Sequence, residues 1–458
     1  MGNLKVALLI NYKVFCDKLP PNFIGGGVSH MKYRKIIKTV LYIYTIFTLS
    51  LIPIYPHTEE SHSHDDANNT TITIKSVRNI LGENNPVDHT YGRIRMGYIS
   101  LSDASNTNKS AYALGGHFHL NSKKYYGWNL GLSAYTVLKL PKQQNDLQIN
   151  NDFFNAENNS FILLTKAFLK GKWDNTEVIL GRQIIDTPHA DPDDIRMIPN
   201  YFEAYTIRNT DVKDLTMQAG FIRKMAGWEN GVDASRFVNI GETLGTDAID
   251  GVFYASALYN GVKDLSLSFW YYYYTDIANV LYTEAAYTLH APNIDINLGL
   301  QYDASTQTGT SLLEKQNART FGGSIQVLAE TIGLHILIAY NKDSSSTGAS
   351  SLNLGGGPLF TSMEDQTLDA MGQAGEAWTV GVGYHLKAIG IENLNAGIAY
   401  GNFRSDKADS YHLEEVDAVL EYSFNERFEI VVAYADIDAK TNNMTDYTQV
   451  RLIANYNF

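Results

Sequence analysis

From about residue 88 onward, this chain alternates apolar and polar side chains over segments of about 8–12 residues. A β-strand sends successive side chains to opposite faces, so a period of two sorts each segment into one apolar and one polar face. Ile294, Ile296, Leu298, Leu300 and Tyr302 alternate with Asp295, Asn297, Gly299, Gln301 and Asp303. Trp378, Val380, Val382 and Tyr384 alternate with Thr379, Gly381, Gly383 and His385. Val416, Ala418, Leu420, Tyr422 and Phe424 alternate with Glu415, Asp417, Val419, Glu421 and Ser423. A dry protein core cannot accept the second set. The fold that satisfies both faces turns the apolar side to lipid and the polar side to water, in a closed all-β barrel.

About eighteen such segments can be counted. They centre near residues 95, 116, 132, 165, 180, 205, 219, 254, 268, 283, 298, 324, 337, 382, 397, 418, 431 and 452. Short connections such as 121–124, 171–175, 209–213, 260–263 and 425–426 alternate with long ones at 141–159, 186–200, 226–246, 303–317, 341–376 and 436–445. Strict succession of short and long is the asymmetry of an up-and-down transmembrane barrel, with trimmed periplasmic turns and elaborated external loops. Trp128, Trp173, Tyr271–Tyr274, Trp378, Tyr384, Tyr422 and Tyr456 suit the two interfacial aromatic girdles. In the segment QVRLIANYNF, Val450, Leu452, Ala454, Tyr456 and Phe458 share one face, and an aromatic at the end of such a strand resembles the assembly signal of bacterial outer-membrane barrels.

Composition removes several other classes. After the N-terminal region no apolar run reaches the roughly 20 residues of a membrane-spanning helix. A net charge of -13 argues against nucleic acid as a partner. Cys16 is the only cysteine and precedes the expected mature start, which removes a disulfide framework, a thiol nucleophile and a thiolate metal site.

The N-terminal region divides by composition. Residues 1–30 lack signal-like order and read as an extension from an upstream start. Residues 31–55 read as an export signal, with Lys32, Arg34, Lys35 and Lys38 ahead of the apolar run 39–55; an uncleaved anchor is the alternative. Residues 56–87 form a periplasmic segment. It contains His57, His62 and His64, which read as a solvated linker or, alternatively, a divalent-metal cluster. The barrel domain is 88–458.

The stretch VILGRQIIDTPHADPDDIRMIPNYFEAYTIR, residues 178–208, starts and ends as strand. Between the strands lies a loop stiffened by Pro188, Pro192 and Pro199 and charged with Asp186, Asp191, Asp193, Asp194 and Arg196. A hairpin needs only two to five linking residues. A loop of this length and charge can fold into a water-filled bore and narrow it.

LGRQIIDTP followed by RMIPNYFE resembles the corresponding region of OprD-like outer-membrane porins, as does 219–228. The epsilon-class major outer-membrane porins are as similar in architecture. The resemblance implies an eighteen-stranded barrel with an inward constriction loop, often associating as homotrimers and passing small hydrophilic solutes or ions. It also implies a constriction with acidic groups on the loop, here Asp186, Asp191, Asp193 and Asp194. Basic groups on the wall would face them, here Arg93, Arg95, Lys166 and Arg208, with Arg182 beside the loop. Strict alternation puts Arg182 on the same side as Val178 and Leu180.

Opposed charges across a wet gap orient dipolar solutes and select ions by sign. The acidic total implies a preference for cations. The chain is expected in the bacterial outer membrane with lipid around it, without a chemical step and without a cofactor, apart from Ca²⁺ that oxygen-rich external loops can hold. Two other readings compete. A barrel hydrolase would need His117, His119, His335 or His385 beside a nucleophile or metal, yet no G-x-S-x-G or H-E-x-x-H accompanies them. A sealed barrel serving as an adhesin or structural protein would use the Ser- and Gly-rich 341–376 loop as a flexible external epitope.

Overall fold

The computed structural model describes residues 86–103, 108–141, 148–442 and 444–458. The export-signal expectation for 31–55, the periplasmic segment up to residue 85 and the histidines at 57, 62 and 64 lie outside these residues. The strands run in chain order as β1 (Val87–Asp103), β2 (Asn108–Ser122), β3 (Trp128–Lys139), β4 (Phe161–Trp173), β5 (Thr176–Gln183), β6 (Tyr201–Asn209) and β7 (Leu215–Ala226). After the two-residue β8 (Val238–Asn239) come β9 (Val252–Val262), β10 (Leu265–Tyr274), β11 (Ala278–Ala291), β12 (Ile294–Gln307), β13 (Arg319–Ala329) and β14 (Leu334–Asp343). The last are β15 (Gly375–His385), β16 (Leu394–Ser405), β17 (His412–Asn425), β18 (Phe428–Ala439) and β19 (Tyr447–Asn457). β8 only touches the end of β7. The other eighteen form the wall, each antiparallel to its neighbours in sequence, and β1 pairs with β19 to close the circle. Every one of the eighteen expected centres falls inside one of these strands. Among the described residues no helix is long and apolar enough to cross a membrane.

The seam depends on a missing side chain. The backbone N–H of Gly92 donates to the Phe458 carbonyl at 2.9 Å, and that of Phe458 donates to the Gly92 carbonyl at 3.0 Å. A Cβ on residue 92 would stand 2.5 Å from the Phe458 ring and 2.7 Å from the His117 carbonyl oxygen. Glycine lets the ring lie flat on the first strand.

The direction of the alternation is as the sequence implies. Leu300, Phe321 and Ile398 are 67%, 60% and 56% exposed on the outer face, an apolar band whose natural solvent is hydrocarbon. Asp303, Thr379, Glu415 and Asp417 are buried on the inner face. The tyrosine run divides between the two: Tyr271 is exposed outside, while Tyr272 and Tyr274 are wholly buried inside. Only alternate members of Tyr271–Tyr274 therefore belong to a girdle.

Two further expectations change. Short and long connections do not alternate strictly, because β10 and β11 are joined at the elaborated end by residues 275–277 alone. The inner faces of that hairpin, including Tyr272, Tyr274, Val280 and Tyr282, are covered by other loops folded inward, so it needs no loop of its own. The 341–376 stretch is also no free epitope. Leu352, Leu354, Leu359 and Leu368 within it are buried, and it packs down into the barrel.

The inward loops rest on apolar patches of a mostly polar wall. Met197 and Ile198 are buried with Tyr135, Val137, Phe153 and Phe154. Leu352 and Leu354 are buried with Phe202, Tyr254, Tyr272 and Tyr274. Each such side chain contributes about 1.5–3 kcal/mol when fully buried. Gly97 of β1 makes room for this packing, since a Cβ there would meet Met197 Sδ at 2.5 Å.

Candidate functional site

The loop of residues 184–200 leaves β5, descends into the bore and returns into β6. At its tip Asp191 Oδ1 accepts the backbone N–H of Asp193 at 2.7 Å, a side-chain turn that aspartate forms readily. Asp193 takes a φ of 35°, in the left-handed region that short polar residues tolerate. The next residue, Asp194, is thereby aimed at β1. Its Oδ2 accepts from Arg93 Nη1 at 2.5 Å and its Oδ1 from Arg95 Nη1 at 2.5 Å. Burial works against charge on this carboxyl, but the guanidinium groups of Arg95 and Arg93 outweigh it and hold its pKa below the ordinary aspartate value.

The two arginines are themselves held by the last strand. Arg93 Nε donates to Asn457 Oδ1 at 2.9 Å, and Arg95 Nε donates to Asn455 Oδ1 at 2.7 Å. Arg95 Nη1 also donates to the Arg196 carbonyl at 2.6 Å. The Arg95 side chain is 1% exposed and that of Arg93 is 24% exposed, so of this pair Arg93 is the one that meets the bore. Lys166 on β4 stands beside them, with Nζ 3.5 Å from the Tyr91 hydroxyl and 6.0 Å from the centre of that ring. His119 and His117 pack against Tyr91 at 4.5 and 6.0 Å between ring centres. These side chains make a continuous polar lining across β1, β2 and β4.

The remaining expected site residues lie elsewhere. Arg196 turns back under the loop: its Nε is 3.3 Å from Asp152 Oδ2, Nη2 donates to Gln449 Oε1 at 3.2 Å, and its guanidinium lies 4.6 Å over the Trp228 ring. It is a structural strut. Arg182 lies 3.6 Å from Glu203 across the strand pair and 4.3 Å over the Phe237 ring. Arg208 is exposed near the turn-side end of β6, opposite the end that carries the loop. Asp186 is exposed at the root of the loop, and Asp191 is spent on the turn. Of the expected set, the structure gathers Asp194, Arg93, Arg95 and Lys166 at one place.

A second inward loop, residues 344–374, completes the arrangement, where the sequence suggested a flexible external epitope. Glu415 on β17 accepts the backbone N–H of Asp365 at 2.9 Å and of Gln366 at 2.8 Å, and Asp417 accepts that of Glu364 at 3.1 Å. Arg451 Nη2 lies 2.7 Å from Glu364 Oε2. Gln301 Nε2 donates to the Pro358 carbonyl at 2.6 Å, while Asn341 Oδ1 accepts the N–H of Thr361 at 3.1 Å. The two loops also join each other. Glu229 accepts the Gly356 N–H at 3.1 Å and the Asn200 side-chain amide at 2.6 Å. Asn455 and Asn457 were equally missed, although the alternation of β19 does place both on the inner face.

A closed barrel, lipid-facing outside and narrowed inside by loops tied to a charged wall, is the build of an outer-membrane channel protein. The sequence model described as outer membrane porin, OprD family, matches residues 140–458, more than half of the chain. The chain belongs to that family. Solved structures agree in fold. The Pseudomonas aeruginosa OpdK structure with vanillate is 16% identical with a TM-score of 0.67, covering 81% of this chain and 98% of that one. Pseudomonas aeruginosa OccK9 (OpdG) is 17% identical with a TM-score of 0.71, covering 81% and 97%. A BenF-like porin from Pseudomonas fluorescens Pf-5 is 14% identical with a TM-score of 0.70, covering 82% and 100%. No curated protein matches the chain.

Proposed function

We propose that this outer-membrane porin passes small hydrophilic solutes passively and prefers anionic ones, carboxylates in particular. One observation carries the reading: Arg93 and Arg95 share a single carboxylate, Asp194, and Lys166 adds a third cation beside them. Several inward carboxylates, by contrast, are already used. Glu415, Asp417 and Glu229 accept backbone N–H groups of the second loop. The charge at the constriction, rather than the total of -13, then governs which ions enter, and the cation preference expected from composition gives way to its opposite. The vanillate bound in the OpdK structure is a carboxylate and fits this class.

Assembly as homotrimers and removal of an export signal at 31–55 belong to the same proposal. So does the lack of a chemical step: members of the family are porins, and the site offers orientation and charge. Reversal potential in a salt gradient tests the reading on refolded protein in planar bilayers. Anion preference is expected in the native chain. R93Q with K166Q should lower the anion-to-cation permeability ratio several-fold. A cation-selective native channel, or unchanged selectivity in the double variant, would overturn the assignment.

A further inference from the structure

His189 sits in the inward loop of residues 184–200, and its side chain has no exposed surface. Nδ1 lies 2.7 Å from the Leu352 carbonyl oxygen, and Nε2 lies 2.9 Å from Asp303 Oδ2 on β12. A carbonyl and an ionised carboxylate only accept hydrogen bonds, so beside a charged Asp303 both ring nitrogens donate. A neutral imidazole carries one N–H. With two donors the ring is an imidazolium.

The surroundings require that charge. Asp303 is almost as buried as its partner, and its other oxygen, Oδ1, has no hydrogen-bond partner among the described residues. The groups around the ring are acidic or neutral on every side. β12 gives Asp303, and β10 gives Tyr272 and Tyr274, with the Tyr272 ring centre 5.2 Å away and the Tyr274 hydroxyl on the same Leu352 carbonyl. β11 gives Tyr282, whose hydroxyl donates to Glu284, and the second loop gives Asp369. A buried aspartate without a cation would be strongly destabilising.

His189 also stands where the loops meet. Its carbonyl accepts the N–H of Leu354 at 2.9 Å, and the N–H of Asp191 donates to the Leu354 carbonyl at 3.2 Å. The first loop thus runs beside the second as a short parallel bridge. One ring ties this bridge to the wall at β12. The same bridge leads within three residues to Asp194, which closes the constriction on β1.

We propose that His189 is a positioning residue for the channel, a protonated bolt that holds the two inward loops to β12 as one body and releases them when it loses its proton. Deprotonation would leave a ring lone pair facing an acceptor oxygen, so the neutral ring loses one bond and gains a repulsion. Burial lowers the pKa of this histidine, but Asp303 outweighs burial and the balance is raised. The bolt is therefore complete below the ordinary histidine value and fails as pH rises through the higher folded value. The constriction is then expected to stay ordered on the acid side of that value and to loosen on its alkaline side.

The inference rests on the porin reading for its electrical readout, so a second readout is independent of conduction. In single-channel records, the native protein should pass from quiet openings at neutral pH to flickering sub-states in alkaline solution. H189Q keeps one donor and cannot titrate. It should flicker at all pH values, with sub-state occupancy at neutral pH raised about tenfold or more, the loss expected for one charged hydrogen bond. D303N keeps an acceptor and loses the countercharge, so its transition should move to lower pH.

Hydrogen exchange at matched pH should show residues 184–200 and 349–360 faster in H189Q than in the native chain at neutral pH, and equal to it in alkaline solution. Heat-modified gel migration verifies that each barrel is closed, and D303N alone decides the matter if H189Q does not fold. Native-like records and exchange in H189Q, or an unmoved transition in D303N, would overturn the proposal. A native channel that never conducts would sink the porin reading, and the exchange comparison would still judge the bolt.

Discussion

Asp194 is a single carboxylate between two guanidinium groups, and each of its oxygens serves one of them. Its lowered pKa fixes the sign of a pH effect. For a depressed carboxyl, the ion pair is fully present above the ordinary value of about 4 and is lost only as pH falls through the lower folded value. Mild acid should leave the reversal potential unchanged, and stronger acid should increase anion preference. D194N should show that increased preference already at neutral pH, since the amide keeps the shape and removes the charge. Selectivity in D194N that still follows acidification as in the native channel would mean that another carboxyl sets it. Arg95 acts on the filter by offsetting Asp194 rather than by meeting solutes, because it is buried and held by Asn455, Asp194 and the Arg196 carbonyl.

At the scale of elements, the two inward loops differ in how they are fastened, and this explains why only one was legible. The 184–200 loop carries its purpose in side chains: three prolines, a run of aspartates and an Arg196 that reaches back beneath it. The 344–374 loop is fastened by its backbone. Glu415 and Asp417 hold N–H groups of residues 364–366 and Glu229 holds that of Gly356, and every residue but proline has such a group, so SSSTGASSLNLGGG reads the same whether docked or free. The strands were legible because each must satisfy lipid and water at once, which writes a period of two into the side chains. The run Tyr271–Tyr274 hid that period, since tyrosine serves on either face.

Backbone fastening makes a sharp prediction. E415Q turns an amide N–H toward one of the two N–H groups that Glu415 accepts, and should cost about 2 kcal/mol of loop docking. Mean conductance and open-channel noise should rise while the closed barrel keeps its heat-modified gel shift. A quiet, unchanged channel would show that the apolar contacts of Leu359 and Leu368 suffice.

For the whole molecule, stability is divided between a wall that faces lipid and an interior that carries the loops. Leu300 lies near the middle of β12 on the outer face. L300R should lower the folding free energy in vesicles by about 2–4 kcal/mol, the depth-dependent cost of a cation near the bilayer midplane. Urea titration would measure it, and a loss near zero would place that part of β12 outside the hydrocarbon.

The 344–374 loop has a kinetic consequence as well. Its anchors are Gln301 on β12, Asn341 on β14, Glu415 and Asp417 on β17 and Arg451 on β19. These groups become neighbours only when the circle is complete, and contacts between distant parts of a chain form slowly. Closure and narrowing are then separate events in the life of the molecule. A newly inserted barrel is then expected to pass through an interval in which it already spans the membrane with a wider bore, and the length of that interval depends on how fast one loop finds four strands.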